Sequence, residues 1–64
     1  MIEEKLKGIF REVTGKLPTK EELERIYGLF EEERLKLEGL GWKAEDAVET
    51  ALEIVRKVLE IRYA

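Results

Sequence analysis

Apolar residues recur along this chain at helical intervals, and no stretch alternates in the way a half-buried strand would. Ile2, Leu6, Ile9, Phe10 and Val13 follow one another at spacings of four, three, one and three, which places them on one stripe of a helix. Gly15 comes just after the last of them and suits the left-handed conformation that ends a helix. Pro18 disfavours helix at Leu17, and Thr19 with Glu22 three residues later forms the pattern of a capping box. Leu23, Ile26, Tyr27, Phe30 and Leu37 then share one face, with Leu29 and Leu40 widening its flank. The two glycines of "EGLGW" close that helix. In the remainder, Ala44, Ala51 and Val55 form a central line. Ala47, Ile54, Val58 and Ile61 lie to one side of it, and Val48, Leu52, Leu59 and Tyr63 to the other. At about 100° per residue this face spans roughly 200°, wide enough to require two neighbours, or one neighbour and another chain.

The pattern predicts helices over about residues 2–14, 20–38 and 44–62. Short connections make sequential helices antiparallel, so the expected fold is all-α: a three-helix, up-down-up bundle forming one domain over residues 1–64. Its expected core is Leu6, Ile9, Phe10, Val13, Leu23, Ile26, Phe30, Leu37, Val48, Ala51, Leu52, Val55 and Leu59. Charge supports the helices, because each is acidic early and the second and third are basic late, opposing the helix dipole. Glu21 with Arg25, Glu32 with Lys36 and Glu53 with Lys57 are spaced for ion pairs one turn apart. One junction is poorly made: Lys43 stands where Ser, Thr, Asp or Asn would cap the third helix. Either Gly41 begins that helix, or Trp42 packs on Ala47 as a hydrophobic staple.

Composition narrows function chiefly by what is missing. Ser, Asn, Gln, His and Cys are all absent, and Asp46 is the only aspartate. The usual nucleophiles and neutral-pH bases are therefore lacking, and thiolate metal sites are excluded. Consecutive carboxylates at Glu31, Glu32 and Glu33 point about 100° apart and do not converge on one ion. No catalytic residue, metal, cofactor or small-molecule substrate is expected, and the chain is read as not an enzyme. Charged residues make up 42% of the chain with both signs interspersed and a net charge of −3, which argues against nucleic acid as a partner. No apolar run is long enough to cross a bilayer, and "MIEEKLKG" lacks the apolar core of a signal peptide. The expectation is a soluble protein, cytoplasmic if expressed in a cell.

Abundant Glu, Lys, Leu, Arg and Ala together with the missing serine resemble computationally designed small helical bundles. That resemblance implies a designed structural scaffold without natural biochemical activity. The alternative is a protein-interaction module from a heat-adapted organism or virus, where thermolabile side chains are scarce. Its partner would be a second copy or another protein. A second resemblance covers "GLGWKAEDAVETAL", residues 39–52. Leu40, Gly41 and Trp42 resemble the Met-Gly-Phe-type loop of the ubiquitin-associated module, and Ala47, Ala51 and Leu52 the helix after it. In that family the helix is short, whereas here it runs on without a breaker.

Three residues are the candidates for protein contact. Gly28 interrupts a strong helix on the side away from its core stripe, where it costs about 0.8–1 kcal/mol relative to alanine. Either the "LGW" turn or a second copy approaches closely there, or the bundle simply tolerates the glycine, as it would Gly8 off the stripe of the first helix. Leu35 also points away from the stripe, and Trp42 follows the helix end. The expected arrangement is Trp42 as a lid over the bundle end with Leu35 beneath it. The alternative is that both are an exposed anchor, tryptophan being favoured at binding hot spots.

Overall fold

Each helix in the computed structural model, which describes residues 1–63, starts or stops at chemistry contained within a few residues. The elements are α1 (Ile2–Thr14), α2 (Lys20–Gly39) and α3 (Ala44–Tyr63), within a residue of the boundaries expected from sequence. Gly15 ends α1 with φ 76°, its N–H donating to the Arg11 carbonyl at 2.8 Å. Thr19 opens α2 with both halves of the capping box. The Glu22 N–H donates to Thr19 Oγ1 at 3.1 Å, and the Thr19 N–H donates to Glu22 Oε1 at 2.8 Å.

The end of α2 is a Schellman turn: the Trp42 N–H donates to the Leu37 carbonyl and the Gly41 N–H to that of Glu38, with Gly41 at φ 95°. Gly41 thus belongs to the close of α2 rather than the start of α3. Lys43 stands in the cap position of α3, where its carbonyl accepts from the Ala47 N–H at 2.9 Å. A lysine side chain has no acceptor to offer the other free N–H groups.

Contacts between distant residues set the topology. The Tyr63 ring, at the end of α3, lies edge-on to Phe10 of α1 at 5.7 Å, and its hydroxyl is 3.5 Å from Glu22 at the start of α2. Arg56 of α3 reaches Glu12 of α1 at 3.0 Å. The ends of α1 and α3 therefore meet the beginning of α2, so α2 runs antiparallel to both. This is the expected all-α, up-down-up, three-helix bundle. At 1.5 Å per residue α1 is about 20 Å long and its neighbours about 30 Å, so the α2–α3 hairpin overhangs α1 by roughly 10 Å.

Leu6, Ile9, Phe10, Ile26, Phe30, Ala51, Val55 and Leu59 form one buried cluster drawn from all three helices. No polar or charged residue is buried among the described residues. Ala47 and Ala51, both wholly buried, line α3 where close helix approach needs small side chains. Ala47 had been placed on the flank of α3. Conversely, Val13, Leu23, Leu37, Val48 and Leu52 are only half-buried rather than central. Leu37 lies in the overhang, where α2 has α3 beside it but no third helix. Contacts with both α1 and α2 cover most of the wide apolar face of α3, but Ala44, expected on its central line, and Tyr63 are exposed at its ends, and Ile61 is 83% exposed.

Candidate protein-contact surface

Gly28 and Leu35 stand seven residues apart on α2, a rotation 20° short of two full turns and a rise of about 10.5 Å. They share one line on the outward side of the helix, turned roughly 160° and 140° from buried Phe30. Trp42 is not on that line. The Schellman turn ties its backbone to Leu37, whose side chain projects on the opposite side of α2 from Leu35. The expected lid is corrected by exposure: Leu35, 57% exposed, is not tucked beneath the indole, and Trp42 itself is 43% exposed.

The expectation that the "LGW" turn approaches Gly28 is also corrected. A Cβ built on Gly28 would meet no atom within 4 Å, and the same holds at Gly8. Nothing within the chain requires glycine at either position.

Next to Gly28, an open groove between α1 and α2 is lined by Glu3, Lys20, Leu23, Glu24, Tyr27 and Gly28. Tyr27 was counted with the core stripe, but it sits at that stripe's edge, about 60° from Phe30, and remains 39% exposed. Its ring leans edge-on against Phe30 at 6.3 Å, which holds it at the groove wall. Leu40 at 77% and Ile61 at 83% exposure are further apolar residues that had been assigned to the flanks of the buried faces. The signal for all three was their edge position on the helical wheel, where burial depends on how near the next helix stands.

The charges on α2 are tied into networks along its surface. Arg34 donates through Nε and one terminal nitrogen to both oxygens of Glu31, at 3.1 and 3.0 Å, and through the other to Glu38 at 2.8 Å. The fork holds the Glu31 carboxyl below its ordinary pKa, and the paired carboxylates push the Arg34 guanidinium higher still. Lys36 lies 3.4 Å from Glu33 and 3.5 Å from Glu32, and hydrogen bonding to Glu33 first of all raises its pKa. The run Glu31–Glu33 is thus spent on two separate cationic partners. Glu21 pairs with Arg25 at 4.0 Å as spaced, but Glu53 and Lys57 form no ion pair in the structure.

A second open cleft, between α1 and α3, is lined by Lys5, Glu12, Glu49, Glu53 and Arg56 among others, with the Glu12–Arg56 pair across it. Among the described residues no three acidic side chains gather as a metal site would require, and no helix is long and apolar enough to cross a membrane. No protein-family model, curated protein or solved structure matches the chain. The likeness to the ubiquitin-associated module therefore rests on its fourteen residues alone.

Proposed function

We propose that this chain is a non-catalytic protein-interaction module that acts through its exposed apolar residues. The observation that carries the reading is the exposure of Leu35, Leu40 and Ile61, each more than half accessible in a chain with little surface to spare. Large apolar side chains left in water gain nothing from folding and are free to meet a partner; Leu35 and Leu40 stand at the far end of α2, and Ile61 at the opposite end of the bundle. Gly8 and Gly28 point the same way, since each weakens a helix with no local packing to offset the loss. The reading involves no substrate, cofactor, metal or nucleic acid.

A designed scaffold, whose fold is its whole purpose, is the second reading. It is favoured by the capping box at Thr19 and the glycine-closed ends at Gly15 and Gly41, devices a designer installs deliberately. The same designer would keep leucine and isoleucine off the surface and glycine out of helix interiors, and for that reason we place it second.

Placing a photo-crosslinking residue at position 35, and in a control at the exposed, charged position 53, separates the two. A contact module gives a discrete adduct from position 35 and none from 53, in the cell that makes the protein or with a second copy. A chain that sediments as a strict monomer at micromolar concentration and gives no adduct from either position overturns the proposal.

A further inference from the structure

We propose that the outward face of α2, from the Leu23–Tyr27–Gly28 groove to Leu35, docks a basic amphipathic helix from another protein. The inference rests on the contact-module reading and adds the site and the chemistry of its partner. Three observations combine. Gly28 leaves open space above the backbone, where a Cβ would touch nothing, at the outer rim of the groove that Leu23 and Tyr27 line on the side toward α1. Two turns away along the same line, Leu35 projects as a 57% exposed knob. A hole and a knob about 10.5 Å apart match apolar anchors at i and i+7 on a helix laid along α2.

Charge selects the occupant. α2 carries seven glutamates against four lysines and arginines, a net −3, whereas α3 has five acidic residues against three basic ones, a net −2, and α1 has three of each sign and is neutral. The net charge of the whole chain is also −3. Glu24 and the Glu31–Arg34–Glu38 network flank the Gly28–Leu35 line on one side and the Glu21–Arg25 and Glu32–Lys36 pairs on the other, so five carboxylates face three cations along it. A second copy brought to this face would set one acidic helix against another. A helix with leucines on one side and lysines or arginines beside them meets both the apolar line and its acidic margins. The glycine then has a reason: the free chain forgoes stability at position 28 to leave room for a partner's side chain.

The test titrates the isotopically labelled chain with a synthetic helical peptide of leucine and lysine whose leucines repeat at i, i+3, i+4 and i+7. Two control peptides accompany it, one of identical composition with scattered leucines and one with glutamate replacing lysine. Saturable binding is expected for the first peptide alone, with amide shifts concentrated between Leu23 and Leu35. Leu35→Glu and Gly28→Gln are each expected to weaken binding tenfold or more while circular dichroism shows an unchanged helical fold. Equal binding of either control, shifts centred on Trp42 or spread over all three helices, unaltered affinity in both variants, or dimerisation through this face would overturn the inference. If the peptide fails while crosslinking from position 35 persists, the contact-module reading stands and the partner chemistry assigned here is wrong.

Discussion

Gly28→Ala is the substitution in which the structure commits itself most sharply. Position 28 is helical, exposed and more than a full turn from either end of α2. Alanine is favoured over glycine inside a helix by about 0.8–1.0 kcal/mol, mainly because glycine has more freedom to lose. The added methyl meets no atom within 4 Å, so packing neither adds to that gain nor subtracts from it. The expected change is a gain of about 1 kcal/mol. For a domain of this size total stability is on the order of 3–10 kcal/mol, so the gain is a sizeable fraction. It corresponds to a rise in Tm of about 4–8 °C. In urea, followed by the helical circular dichroism signal, the midpoint should rise with the slope unchanged. Gly41→Ala is the internal control. It has the same open surroundings but φ 95°, where a side chain costs about 1–2 kcal/mol, so the same chemical change should destabilise. The reasoning is refuted if Gly28→Ala lowers stability, or if its effect depends on protein concentration, because either result means something packs on that face in the free protein.

Three further outcomes follow from the same structure. Thr19→Ala removes the hydroxyl that accepts the Glu22 N–H and should cost about 1 kcal/mol in the same urea titration. Glu22 accepts the Thr19 N–H, which lowers its pKa from the ordinary 4.5. Its stabilising effect is therefore complete above pH 4.5 and lost as pH falls through the lower folded-state value, as it is for Glu31 beside Arg34. Glu22→Gln should accordingly lose less stability than the parent on acidification, read as the change in urea midpoint between about pH 6 and pH 2. Phe30 is 1% exposed at the centre of the core, so Phe30→Ala should cost about 3–5 kcal/mol, enough to unfold much of the population, and Phe30→Leu markedly less. Thermal melts of the two variants side by side check the ordering.

The sequence by itself determined the three helices and most of their ends, because those features are decided within one or two turns. Thr19 and Glu22 are three residues apart, Gly15 and Gly41 take left-handed conformations that neighbouring carbonyls reward, and the Leu6–Ile9–Phe10 spacing fixes a face. Tertiary structure decided which edge residues are covered. Ala47 is fully buried while its neighbour Val48 is only half so, and Ile61 continues the flank of Ile54 and Val58 yet stands in water. Likewise Arg56 finds Glu12 on another helix, a partner 44 residues away in the chain. Whether Gly28 was crowded or open, and whether Leu35 lay under Trp42 or apart from it, belonged to this second group. Backbone caps respond to local hydrogen bonds and sterics. Burial depends on the length and placement of the neighbouring helix, and here α1 is about 10 Å too short to cover the hairpin it packs against.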